Sequence, residues 1–307
     1  MVKGFAASHV GDYNTATGIQ FSVGEYWDGV GNIKNWINNT GKKSGAFDFQ
    51  FHYNMTNAIK NNDWRKLNEA SLMSDASYRR YAITFVENHD IQVREDNSNE
   101  GSKDPIPTTY IPAANAFLIA MPGTPCIFQP HWKAYEHELK SMIEARKLAG
   151  ITNTSSYSNY ANNTQYFANT VNGTNNRKLL VVVGVPSMMT APSKSVYTKI
   201  LSGKNYMYYL SSNAETAWAD KASGEYEEGF KVTLTAVSQN SNAKLVYTTN
   251  GNNPTASSTQ ATSGTSINIS SSCTLKVGLL INGTVSGIRT YNYSIKRFEP
   301  YNITVYV

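Results

Sequence analysis

Ile19-Gln20-Phe21-Ser22-Val23-Gly24-Glu25-Tyr26-Trp27-Asp28 decides how the first half of this chain is read: a short apolar run, a glycine, then a carboxylate among aromatic residues. A short apolar run that again leads into carboxylates returns at Ala82-Ile83-Thr84-Phe85-Val86-Glu87-Asn88-His89-Asp90. Further compact apolar runs at Ala46 to Phe51 and Thr124 to Phe128 are bounded by Gly, Asn or Pro. With Ile19 to Val23 and Ala82 to Val86, they predict four buried strands. Between them, Ile33 to Ile37, Met55 to Lys60, Trp64 to Ala70, Pro112 to Met121 and Leu139 to Ala149 place apolar residues three and four apart, with Gly150 as a C-cap. Strands alternating with helices predict β-α units on a parallel sheet over residues 1–150.

After Gly150 the pattern becomes alternating strands separated by polar turns. Val171-Asn172-Gly173 and Ile281-Asn282-Gly283 read as hairpins. A polar break at Gly224-Glu225-Tyr226-Glu227-Glu228-Gly229 divides this region. The expected organisation is an α/β segment over 1–150, all-β domains over 151–225 and 226–295, and the start of a further module at 296–307, where Ile303 to Val307 read as a strand.

Of 307 residues only 16 % are charged, below the roughly 25 % of an average soluble domain. The net charge of +5 is spread without a basic run, which argues against nucleic acid or an anionic membrane as partner. No apolar run approaches the roughly 20 residues of a membrane helix, and Met1 opens into patterned sequence without a signal-peptide layout. Cys126 and Cys273 fall in segments expected to form different domains, so neither a disulfide framework nor a cysteine metal site is indicated.

Glu25 and Asp90 both follow a strand expected in a parallel sheet, so both would face the edge at which such strands end. Paired carboxylates suit glycoside hydrolysis: one donates a proton to the leaving oxygen while another stays ionised against the positive sugar ring. A helix N-cap or a loop charge is the plainer reading of either residue. His89 can donate to sugar hydroxyls, and Tyr26 and Trp27 offer flat faces for pyranose rings; a buried, hydrogen-bonded histidine and rim packing are the alternatives.

Val23-Gly24-Glu25-Tyr26-Trp27-Asp28 resembles the segment of the α-amylase family, glycoside hydrolase family 13, that carries the general acid/base. Phe85-Val86-Glu87-Asn88-His89-Asp90 resembles the segment carrying the transition-state-stabilising aspartate. Ala46-Phe47-Asp48-Phe49 is similar to the sixth strand of that family's barrel, and Pro122-Gly123-Thr124-Pro125-Cys126-Ile127-Phe128 to the eighth. The resemblance implies strands 5–8 of a (β/α)8 TIM barrel. Met1-Val2-Lys3-Gly4-Phe5 is similar to the residues after the nucleophilic aspartate, which would lie upstream of Met1. Lys3 then matches the substrate-binding lysine. Gly4 stands where histidine is commoner, in a variant whose backbone carbonyl helps to hold a structural calcium.

Residues 151–225 resemble the C-terminal sandwich that follows the amylase barrel. Leu245-Val246-Tyr247-Thr248-Thr249-Asn250-Gly251-Asn252-Asn253-Pro254-Thr255 is similar to a signature of the chitobiase/β-hexosaminidase C-terminal module, with Asn250 in place of Asp. A spacer role is expected there. The resemblance implies part of a secreted enzyme, extracellular, cell-surface or periplasmic, that cleaves α-1,4-glucosidic bonds of starch-like glucans with retention. Without the nucleophile the isolated chain is expected to be inactive. The alternatives are another hydrolase or transglycosylase of the family, pullulan-type included, and a non-catalytic glucan-binding or spacer protein.

Overall fold

The computed structural model describes residues 2–91 and 105–296. The chain forms two compact units, residues 1–213 and 214–307.

The first unit opens with helix α1 (Ala7–Thr17), followed by β1 (Val23–Gly24), α2 (Val30–Asn39), β2 (Gly45–Phe47), α3 (Phe49–Lys60), β3 (Ala82–Thr84), α4 (Ile111–Ala120), β4 (Thr124–Pro125) and α5 (Gln129–Ala149). The four strands form one parallel sheet in sequential order, with Gly24 opposite Ala46, Phe47 opposite Ile83 and Thr84 opposite Pro125. The expected β-α alternation is present, with shorter strands; of the run Ile19 to Val23, expected as a buried strand, only Val23 enters β1, and Ile19, Phe21 and Val23 are exposed. Phe49 to Phe51 lie in α3 rather than in a strand, because Asp48 accepts the backbone N–H of Phe51 and caps the helix. Trp64–Asn68 is a 3-10 turn, and α5 begins ten residues before the expected Leu139.

Helix α1 was not predicted. Its sequence, Ala-Ser-His-Val-Gly-Asp-Tyr-Asn-Thr-Ala-Thr, has no apolar stripe, and Gly11 lies at its middle. That glycine is required by contact: a Cβ there would meet the Thr40 carbonyl oxygen at 2.4 Å. Gly18 ends the helix at φ 67°, the one terminus signal its sequence carries.

Strands β5 (Tyr157–Asn162), β6 (Tyr166–Asn172), β7 (Lys178–Gly184), β8 (Tyr197–Gly203) and β9 (Tyr206–Ser211) complete the unit as an antiparallel sheet ordered β5-β6-β7-β9-β8. It packs on α4, where Phe117 and Phe167 meet edge to face at 5.9 Å and the Tyr208 hydroxyl donates to the Ala116 carbonyl. Arg79 ties the sheet to the loop before β3, donating to the carbonyls of Met73, Ser74 and Ser155.

The second unit comprises β10 (Thr216–Ala219), β11 (Gly224–Tyr226), β12 (Phe230–Val237), β13 (Lys244–Thr248), β14 (Thr259–Ala261), β15 (Thr265–Ile269), β16 (Cys273–Ile281) and β17 (Thr284–Ile295). A three-stranded sheet, β10-β12-β15, and a five-stranded one, β11-β17-β16-β13-β14, enclose Ala217, Leu234, Leu245, Val277, Leu279 and Tyr291. The sequence break expected near residue 225 therefore falls inside this unit. Thr216–Ala219 pairs antiparallel with β12, which removes it from the preceding β domain. The Asn282-Gly283 turn joins β16 to β17 with φ of 49° and 78°, as a two-residue hairpin requires. Of the module expected at 296–307, all but Lys296 lies outside the described residues.

Candidate active site

Because the four strands run parallel, Glu25, Asp48, Phe85 and Cys126, each following a strand, share one edge of the sheet. At β1, Gly24 lets the strand approach α2: a Cβ would come within 2.2 Å of the Trp36 ring. The chain then turns outward. Glu25 is exposed, and among the described residues it makes no hydrogen bond or ion pair. Tyr26 stacks on Trp36 at 5.7 Å.

Lys3 folds over this turn. Its ammonium donates to the Trp27 carbonyl at 2.6 Å, meets Asp28 Oδ2 at 2.9 Å and lies 4.8 Å above the Tyr26 ring. The Asn32 amide, the Lys3 ammonium and the Gly29 backbone N–H all donate to Asp28 and lower its carboxyl to about 2. A cleft of about 350 Å³ opens beside them, lined by Lys3, Tyr26, Asp28, Asn32, Asn35 and Trp36.

Trp27 lies parallel to Phe49 at 5.1 Å and donates its indole N–H to the Tyr53 hydroxyl at 2.8 Å. One face is packed, yet the side chain keeps 44 % exposure, so the other face meets solvent. Phe49 in turn meets Phe85 edge to face at 5.3 Å. Rings thus run continuously from the Glu25 loop to the loop after β3.

That loop is anchored residue by residue. His52 Nδ1 donates to the Val86 carbonyl at 2.6 Å, and burial depresses the basicity of this ring. Glu87 is buried against His131. The Asn88 side-chain oxygen accepts from the backbone N–H groups of Asp90 and Ile91, each at 3.1 Å. His89 points outward at 73 % exposure with Nε2 3.4 Å from Asp90 Oδ1, so it is not the buried histidine that was one of the expectations.

Asp48 occupies the strand-end position corresponding to Glu25 but is fully buried, accepting from the backbone N–H groups of Phe51, Leu72 and Met73. Burial raises its pKa. It is a structural cap. The structure therefore places Tyr26 and Trp27 with Glu25 on the loop after β1, with Lys3 folded over it from the segment before α1, and His89 with Asp90 on another loop two strands away. Sequence reading did not single out Asp28, Tyr53 or the Glu87–His131 pair; the polar residues of His52-Tyr53-Asn54 inside an apolar helix were the available signal.

For calcium, the donor set does not fit. Gly4 is exposed, and the described residues contain no group of three or more His, Cys, Asp or Glu side chains able to hold a metal. One carbonyl falls well short of the six to eight oxygen ligands calcium takes.

Comparison with known proteins shows a match of residues 221–289 to the chitobiase/beta-hexosaminidase C-terminal domain. The chain is 27 % identical over 170 residues to a probable alpha-amylase 2 of Arabidopsis thaliana, covering 48 % of this chain and 40 % of that protein. It is 28 % identical over 167 residues to a glucan 1,4-alpha-maltotetraohydrolase of Stutzerimonas stutzeri, covering 49 % and 30 %. An alpha-amylase of Bacillus licheniformis is 29 % identical over 143 residues, covering 41 % and 27 %. The chain thus spans 40 % or less of the length of these three relatives. A crystal structure of a gamma-CGTase from an alkalophilic Bacillus clarkii superposes with a TM-score of 0.47 at 14 % identity, covering 94 % of this chain and 50 % of that one. Over about half of its length the chain thus has α-amylases among its sequence homologues, and residues 221–289 are similar to the chitobiase/beta-hexosaminidase C-terminal domain.

Proposed function

We propose that this chain is part of a retaining α-glucan hydrolase of the α-amylase type, its parallel sheet being strands 5–8 of a (β/α)8 barrel. The observation that carries the reading is the contrast between Glu25 and Asp48 at equivalent strand ends: one carboxylate is used up by backbone N–H groups, whereas the other is exposed among rings.

In this reading Glu25 protonates the glycosidic oxygen as a carboxylate supplied from upstream of Met1 attacks the anomeric carbon. The leaving chain departs and a glycosyl ester forms. Glu25, now ionised, takes a proton from water, which displaces the ester and restores the α configuration. Asp90 stays ionised beside the ring and stabilises its positive charge, with His89 donating to a ring hydroxyl. Trp27 and Tyr26 present faces for neighbouring glucose units, and Lys3, held by Asp28, donates to their hydroxyls. No step runs through calcium, which is assigned with Gly4 to the longer protein only. The substrate is a starch-like α-1,4-glucan met outside the cell, and the chain alone does not hydrolyse it. Residues 151–213 serve as the amylase C-terminal β domain and the second unit as a spacer. A transglycosylase or pullulan-type hydrolase of the family is the second reading, since loops outside these residues select the acceptor.

The test joins the upstream half to Met1 and compares variants. Glu25→Gln and Asp90→Asn should each reduce kcat by several orders of magnitude, on the order of 10³ or more. With an α-glucosyl fluoride, whose leaving group needs no proton, Glu25→Gln should recover much of the first step and Asp90→Asn should not. The reverse pattern would exchange the two roles, and full activity in both variants would end the proposal.

A further inference from the structure

Below the loop that carries His89 and Asp90 lies a buried polar cluster the proposed chemistry does not use. Glu87 and His131 are each 2 % exposed at the side chain, with His131 Nε2 2.7 Å from Glu87 Oε2. The second carboxylate oxygen accepts the Ile106 backbone N–H at 2.8 Å. On the far side of the ring, the Asn115 amide nitrogen stands 3.1 Å from His131 Nδ1 and also donates to the Ile111 carbonyl, one turn back in α4, at 2.9 Å. The Asn115 oxygen is buried without a hydrogen-bond partner.

The orientation of that amide decides where the histidine proton sits. Turning it over would set its oxygen against the Ile111 carbonyl oxygen, two acceptors face to face. With nitrogen toward the ring, Nδ1 must offer a lone pair, so the proton resides on Nε2 and is donated to Glu87. A buried carboxylate is thereby satisfied at both oxygens, by a ring N–H and by a backbone N–H.

We infer that Asn115, His131 and Glu87 form a buried relay that fixes the position of the Asn88–Asp90 segment, with the His131 proton held on Nε2. The three are positioning residues, and the inference rests on the role proposed above for Asp90. Glu87 precedes Asn88 directly, and Asn88 in turn caps the turn containing Asp90, so a shift at Glu87 is passed along the backbone to the Asp90 carboxylate. The relay joins α4, the N-terminal turn of α5 and the residues around Ile106 to this one loop. All three residues are buried.

Nitrogen-15 spectra of the full chain labelled at its five histidines read the proton directly, with His131→Gln assigning the signal. The expected ring is protonated at Nε2 and bare at Nδ1. A proton on Nδ1, or on both nitrogens, overturns the relay. Amide exchange supplies the second reading: His131→Leu and Asn115→Asp should each accelerate Ile91 and Ile106 by about tenfold or more, leaving the β6 and β7 amides unchanged. His131→Gln, which keeps an N–H donor toward Glu87, should hold both amides within about threefold of the original rate. Unchanged exchange in His131→Leu, or acceleration throughout the first unit, overturns a local role. If that variant does not fold, the spectrum of the unaltered chain and Asn115→Asp still decide. Neither measurement involves sugar, so the relay can fail while glucan cleavage stands. Asp90→Asn in the joined enzyme tests the latter alone.

Discussion

The edge of the parallel sheet and the Tyr247–Thr255 loop of the second unit both carry recognisable motifs, but they use their polar side chains in opposite ways. In the second unit, Asn250 accepts the Asn252 backbone N–H at 3.1 Å, Thr248 donates to the Asn252 carbonyl, Gly251 adopts φ 82°, and Lys276 donates to Asn253. The motif is spent on holding its own turn. At the sheet edge, Glu25 and one face of Trp27 are left to solvent by a scaffold whose own hydrogen bonds lie one layer deeper, at Asp48, His52 and Glu87. The two motifs thus differ in whether their polar side chains are consumed by local hydrogen bonds.

The sharpest way to break this comparison is to remove both strand-end carboxylates. Asp48→Ala strips three buried backbone N–H groups of their acceptor and should destabilise the first unit by about 3 kcal/mol or more. Glu25→Gln should change its stability by less than about 0.5 kcal/mol. Denaturant unfolding followed through amide exchange of β2 and β3 gives both values, and similar losses would erase the distinction. Next in size is Gly24→Ala, which forces a methyl into the Trp36 ring and should cost about 1–3 kcal/mol. A neutral effect would show that β1 and α2 are less tightly joined than the 2.2 Å approach implies.

How much of this was legible in the sequence follows the same division. Strands β2 and β3 were legible because their apolar runs are buried, whereas Ile19 to Val23 reads as a buried strand although Ile19, Phe21 and Val23 are exposed and only Val23 enters β1. The end of β2 was misjudged at Phe49, where an aromatic residue that reads as strand belongs to a helix started by Asp48. Helix α1 was invisible because it has no apolar stripe, being defined by the packing of Gly11 on Thr40. Glu25, Trp27 and Asp90 were singled out by motif resemblance. Tyr53 and His131 escaped because their partners, Trp27 and Glu87, lie 26 and 44 residues away, a pairing only the fold brings about.

A smaller effect is expected in the second unit. If Asn250 serves only as a turn acceptor, Asn250→Asp should be tolerated, since a carboxylate oxygen accepts from Asn252 as well as an amide oxygen does. Asn250→Ala should lose about 1 kcal/mol. Neither change should alter retention on immobilised starch, and a loss of retention in both would move this loop from scaffold to ligand site.

The smallest effect concerns acidity and separates the buried layer from the exposed one. His52 is buried with Nδ1 on the Val86 carbonyl, and burial holds its pKa below the ordinary histidine value of about 6.5. The unfolded chain therefore binds the proton more readily than the folded one between those two pKa values, and in that window stability rises with pH. The contribution of the uncharged ring is complete above about 6.5 and fades as the pH falls below it. His52→Gln, whose amide can still donate to Val86, should flatten this slope between about pH 7 and 5, while His89→Gln, on the exposed layer, should leave it nearly as steep. Exchange-detected stability of β3 across that range is the measurement. A slope indifferent to His52 but removed with His89 would place the pH-sensitive group on the surface and invert the assignment of buried scaffold and exposed site on which the comparison stands.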